Sequence, residues 1–222
     1  MPTILITGAS RGLGLEFARQ YADAGWRIHA SCRHPDAAGD LEAFAAGAPD
    51  QVTVHRLDVA DAGRVTALAA ALAGEPIDVL LNNAGVYGGK RKPFGETDYA
   101  TWQQTLDINV LGPMRVAEAF ADHVARSERR LIVCISSRMG SMAENTSGGA
   151  YIYRSSKAAL NAVVKSLAVD LKERGITVVC FHPGWVATDM GGPDAPLKVP
   201  ESVGGMRAVI ERLTAADGGR FL

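Results

Sequence analysis

The stretch that decides the fold is "TILITGASRGLG", residues 3–14. Five apolar or β-branched residues run directly into three glycines, at 8, 12 and 14. The first half reads as a short buried strand. The second half reads as a turn whose backbone must come close to something. The following residues, 12–24, place apolar side chains at helical spacing, and Gly25 stops that helix. A strand, a glycine turn and a helix in that order make a pyrophosphate cradle. Free N–H groups and the positive dipole end sit at the helix N-terminus, and glycine lets the phosphate approach.

The pattern repeats outward from this start. Strands are expected at 26–32, 51–59, 77–83, 130–136 and 176–182. "RFL" at 220–222 could begin a seventh. Helices are expected at 38–46, 62–73, 99–126, 151–173 and 201–214, with Asp61 capping the second of these. Gly112-Pro113 should kink or divide the helix at 99–126. The central strands are apolar on both faces, which predicts a mostly parallel sheet covered by helices on both sides. The fold class is therefore α/β, a doubly wound Rossmann-type sheet. A single domain, 1–222, carries a glycine loop at 7–14, a catalytic segment at 135–157 and a substrate loop at 184–200.

Composition agrees with an ordinary globular chain. Of 222 residues, 47% are hydrophobic and 21% charged, with 23 basic against 24 acidic residues. A net charge of -1 argues against a nucleic-acid or membrane-surface partner. The run Lys90-Arg91-Lys92 reads as a solvated loop. Cys32, Cys134 and Cys180 lie in strand-like contexts, away from metal-ligand spacing, and read as small buried hydrophobes. No metal site is expected. "MPTILITGAS" lacks the marks of a signal peptide, so a cytoplasmic protein is the reading.

Chemistry enters with "YIYRSSK", residues 151–157. At about 100° per residue, Tyr153 and Lys157 lie about 40° apart on one helix face, one turn apart. Tyr151 and Lys157 lie roughly 240° apart and face different ways. A free phenol titrates near pH 10. An adjacent ammonium, or the positive ring of an oxidised nicotinamide, would draw it toward neutrality. The second strand ends "SCR", and no Asp or Glu falls between Ile28 and Pro35. An acidic side chain there would bind a ribose 2'-hydroxyl. Arg33, with Arg11 from the glycine loop, could instead clamp a 2'-phosphate, which favours NADP(H) over NAD(H).

The ordered set of motifs resembles the short-chain dehydrogenase/reductase family. It comprises the loop at 7–14, "NNAG" (82–85), "LDINVLG" (106–112), "ISSRMG" (135–140), "YRSSK" (153–157) and "HPGWVATDM" (182–190). The wording of the last two looks most like the compact carbonyl-reductase-like branch that includes the C-factor proteins. The resemblance implies a catalytic set of Asn109, Ser137, Tyr153 and Lys157. Tyr153 would protonate the substrate oxygen, Ser137 would hold that oxygen, and Lys157 would tune Tyr153 and bind the nicotinamide ribose. Asn109 would organise a water relay. For the cofactor it implies Gly8, Ser10, Arg11, Gly12, Leu13 and Gly14, Arg33, Asp58 and Val59. It adds Asn83, Ala84 and Gly85, with Tyr153 and Lys157, then Pro183, Gly184, Val186 and Thr188. His182 is given a structural role and Tyr151 a place bracing the pocket mouth.

The expected activity is reversible hydride transfer between NADP(H) and a small aldehyde, ketone or alcohol. The alternative is a dinucleotide-binding regulatory or signalling protein of C-factor type with little turnover. Pairing of two copies through the helices at 99–126 and 151–174 is also implied.

Overall fold

The computed structural model describes residues 1–89 and 92–222, so Lys90 and Arg91 of the basic run lie outside the described residues. Six strands, β1 (Thr3–Thr7), β2 (Arg27–Cys32), β3 (Val52–Arg56), β4 (Val79–Asn82), β5 (Leu131–Ile135) and β6 (Thr177–Phe181), form one sheet in the order β3-β2-β1-β4-β5-β6. Every pairing is parallel. The expectation of a doubly wound parallel sheet is met. The terminal "RFL" does pair with β6: Leu222 N donates to Cys180 O, and His182 N donates to Leu222 O.

Apolar side chains of alternate strand positions build a core on each face of the sheet. Ile4 and Ile6 join one core with Phe17 and Tyr21 of α1 (Gly12–Asp23) and Val203 of α7 (Val199–Ile210). Leu5 joins the other, with Val65 of α3 (Ala62–Ala71), Phe120 of α5 (Gly112–Ala125) and Leu160 of α6 (Tyr151–Asp170). Helices α2 (Gly39–Gly47) and α4 (Tyr99–Leu106) complete the layers. The Asp61 carboxylate accepts from Arg64 N and caps α3 as expected. All three cysteines are buried and free.

One expectation needs correction. The third strand ends at Arg56, short of Val59, because the Asp58 carboxylate accepts from Ala60 N and turns the chain. The helix at 99–126 divides at Gly112-Pro113 as expected. α4 ends at Leu106, a π-helical turn spans Asp107–Leu111, where Gly112 N donates to Asp107 O, and α5 opens at Gly112 with Pro113 in its first turn.

The strand order reverses between β1 and β4, so the loops after them part and open a cleft at their carboxyl ends. Gly112 lets the π turn pass over the far wall. A Cβ there would meet Val59 Cγ2 at 2.8 Å, although the Gly112 φ of -57° is ordinary for any residue. Gly112→Ala should therefore destabilise by about 1–3 kcal/mol through overpacking alone. Gly74→Ala, where nothing lies within 4 Å, should change stability by less than about 0.5 kcal/mol. Urea unfolding of both variants checks this contrast.

Candidate active site

The glycine loop is locked before anything binds. Thr7 Oγ1, at the end of β1, accepts from Asn83 N and Ala84 N, both at 3.1 Å. The Asn83 side chain returns the contact, donating to Thr7 O and Gly8 O at 3.0 Å each. Gly8 has φ +70°, and a Cβ there would come within 2.8 Å of Ala84 Cα. Only glycine permits this turn against this neighbour. Helix α1 then begins with no side-chain cap, so its first N–H groups face the loop.

A cleft of about 890 Å³ runs from this loop to α6. It is lined by every residue expected to bind the cofactor, from Gly8 and Arg11 through Arg33, Asp58 and Asn83 to Gly184 and Thr188, and by Ser137, Tyr153 and Lys157. Residues far apart in sequence converge on one space. An uncapped helix end with two arginines on the rim of a large cleft fits a dinucleotide carrying an extra phosphate. Arg11 is engaged across the mouth, its Nε 3.2 Å from Asp189 Oδ2, with both side chains 76% exposed. Thr188 approaches from the same loop, its Cγ2 3.5 Å from where a Gly12 Cβ would stand.

The segment expected to be catalytic is tightly buried. Tyr153 is 8% exposed and Lys157 5%, whereas Tyr151 is 42% exposed. Tyr151 faces a small side pocket of about 70 Å³ rather than the main cleft. Helical spacing had separated the two tyrosines correctly. Ser137 accepts from Met139 N at 3.1 Å, which starts a short turn over Arg138–Gly140. A Cβ on Gly140 would lie 2.8 Å from the Lys157 carbonyl carbon, so the glycine lets this turn rest on α6.

The electrostatics differ from the expectation. Lys157 is engaged with the backbone. Its Nζ donates to Ile135 O at 2.8 Å and stands 5.7 Å from the Tyr153 ring centroid. Burial dominates both groups. It pushes the Tyr153 phenol up to about 12, although a hydrogen bond from Ser137 favours the phenolate. It pulls Lys157 down to about 8, against the opposing effect of Cys134 and Cys180 beneath it. Protein groups alone therefore hold Tyr153 as a neutral phenol, because desolvation outweighs a lysine that points elsewhere.

Asn109 is fully buried and does not line the cleft. Its Oδ1 accepts from Val86 N at 2.8 Å, and its Nδ2 donates to Val86 O at 2.8 Å and Ser156 Oγ at 3.0 Å. In this arrangement its side chain braces the loop after β4 against α6, and a Cβ on Gly85 would lie 3.3 Å from its Oδ1 and 3.7 Å from Lys157 Nζ. His182 lines the cleft, and its Nδ1 is buried with no hydrogen-bond partner among the described residues. Burial, then the Arg138 charge, lowers its pKa.

Sequence reasoning missed Thr7, Tyr87 and Asp189. Thr7 had a signal, a hydroxyl at the exit of β1. Tyr87 and Asp189 had none, since their importance comes from which loops meet.

The profile of the short chain dehydrogenase family matches residues 2–196. The C-signal protein of Myxococcus xanthus is 51% identical over 146 residues, covering 66% of this chain and 87% of that protein. Among solved structures, the carbonyl reductase Sniffer of D. melanogaster superposes with a TM-score of 0.94 at 34% identity, over 100% of this chain and 96% of that one. The NADPH-bound carbonyl reductase from chicken fatty liver gives 0.93 at 32% identity, over 100% and 96%.

A buried ammonium costs stability. Because the folded-state value of Lys157 is depressed, the cost is full below about 8 and fades toward 10.5, where the unfolded chain also loses its proton. Lys157→Met should stabilise the cofactor-free protein at pH 7, on the order of 1–3 kcal/mol. That advantage should shrink between pH 8 and 10.5. Chemical denaturation across that range checks both sign and slope.

Proposed function

The chain belongs to the short-chain dehydrogenase family, in its carbonyl-reductase-like branch, and from that premise we propose that it transfers hydride between NADP(H) and the carbon of an aldehyde or ketone. The observation that carries this reading is the meeting of Ser137, Tyr153 and Lys157 in the same cleft as the glycine loop. A sensor that only binds a dinucleotide has no use for a buried phenol with a hydroxyl beside it. When bound, NADPH supplies the hydride and leaves a positively charged ring.

The side chains divide the remaining work. Ser137 hydrogen-bonds the substrate oxygen and orients it toward Tyr153. Tyr153 is a neutral phenol at working pH, the state that reduction requires, and it donates its proton as negative charge develops on that oxygen. Ser137 then supports the phenolate left behind. Lys157, whose Nζ stands 5.7 Å from the Tyr153 ring centroid, would ease loss of the phenol proton when charged. It would also hold the nicotinamide ribose. Asn109 contributes by position, keeping α6 and the loop after β4 in register.

Preference for NADP(H) rests on Arg11 and Arg33 at the rim, on the lack of any acidic residue between Ile28 and Pro35, and on the NADPH-bound carbonyl reductase among the similar structures. Among the described residues no helix is long and apolar enough to cross a membrane. A small carbonyl compound in aqueous surroundings is the natural partner. The C-signal resemblance favours a second reading, in which cofactor binding serves signalling and turnover is slight.

Loss of NADPH absorbance with a panel of simple aldehydes and ketones separates the two. Tyr153→Phe should lower kcat by about 10²–10⁴-fold while changing the NADPH Kd by less than about threefold. Tyr151→Phe should cost less than about twofold. No turnover with any carbonyl, alongside tight NADPH binding, would favour the signalling reading. Arg33→Ala should weaken NADPH binding roughly 10–100-fold and leave NADH nearly unchanged.

A further inference from the structure

Tyr87 follows "NNAG" by two residues and belongs to none of the motifs that identify the site. Its ring stacks on Tyr153, with centroids 4.7 Å apart and planes 28° apart. It stands between the main cleft and the side pocket and lines both. We propose that Tyr87 is a positioning residue for Tyr153, an aromatic plate that fixes the plane of the phenol and keeps water from its face.

The backbone on both sides of Tyr87 gives its ring little freedom to move elsewhere. On one side, both polar groups of Val86 are held by the Asn109 side chain at 2.8 Å. On the other, Gly88 has φ +83°, and a Cβ there would collide with Ile152 and stand 2.7 Å from Thr105 Oγ1. The circuit then closes through the catalytic helix. Asn109 Nδ2 donates to Ser156 Oγ at 3.0 Å, and Ser156 Oγ donates to Tyr153 O at 2.8 Å. Tyr153 is thus gripped at its backbone through Ser156 and at its ring through Tyr87, and both grips lead back to Asn109. Stacked aromatic pairs contribute beyond their buried area, and a loosened phenol loses alignment with the reacting oxygen. Burial is the largest influence on the Tyr153 phenol, and Tyr87 adds to it in the same direction. Removing the plate should therefore ease Tyr153 ionisation.

The inference rests on Tyr153 being the proton donor. Three variants test it: Tyr87→Phe keeps the plate, Tyr87→Leu fills the space without stacking, and Tyr87→Ala opens it. The expected result is a fall in kcat of about 10–100-fold in the Leu and Ala variants, with the NADPH Kd within about twofold. The alkaline limb of kcat/KM should move to lower pH in both, and Tyr87→Phe, which keeps the ring, should keep kcat at neutral pH close to wild type. A second readout needs no turnover. Phenolate absorbance of each variant, minus that of the same variant carrying Tyr153→Phe, isolates the Tyr153 titration, which should also move to lower pH in the Leu and Ala variants. An unmoved titration with wild-type kcat would overturn the role of Tyr87. So would a Tyr87→Phe variant as impaired as Tyr87→Ala. A wild-type protein that turns over no carbonyl, yet whose Tyr153 titration moves as expected, would instead count against hydride transfer and leave the plate standing.

Discussion

One buried amide side chain ties the site together. Asn109 binds both polar groups of Val86 and reaches Ser156 on α6. Three segments far apart in sequence meet through it: the loop after β4, the π turn and α6. Asn109 sits in the π turn with no exposed surface. Thr7 and Asn83 do the same work for the glycine loop. The loops that form the cleft and the helix that carries the phenol are thus fixed to each other by buried side chains. Catalytic geometry of this kind depends on such supporting contacts as much as on the reacting groups.

Burial, rather than charge pairing, sets the protonation states. Neither Tyr153 nor Lys157 has a carboxylate partner among the described residues, and both are pushed toward their neutral forms. That arrangement is costly for the fold. It suits the proton donor proposed for Tyr153, which must arrive protonated. The site is a place where folding stability and function pull in opposite directions.

Much of this was legible in the sequence. The alternation of strands and helices, the glycine loop, and the choice of Tyr153 over Tyr151 all follow from period and spacing, because those are local properties of the chain. The convergence of Ser137, Tyr153, Lys157 and the glycine loop on one cleft was legible through the order of motifs. Other features depend on distance and depth, which spacing does not encode. The pKa of Tyr153 was expected to fall toward neutrality because Lys157 is one helical turn away; in the fold Lys157 turns to Ile135 O, and desolvation wins. The division of the long helix at Gly112-Pro113 was legible from the proline, but the π turn that precedes it was not. Tyr87 and Asp189 matter only because loops from distant parts of the chain meet over the cleft.

The most direct test of the central claim follows the hydride itself. NADPH deuterated at the reactive nicotinamide carbon is incubated with the protein and an aldehyde, and the alcohol is analysed by mass spectrometry. Hydride transfer in this cleft predicts one deuterium on the carbinol carbon for each NADPH consumed, and none with Tyr153→Phe over the same interval. Tight cofactor binding with no label in any product, from the wild-type protein and the full carbonyl panel, would contradict it.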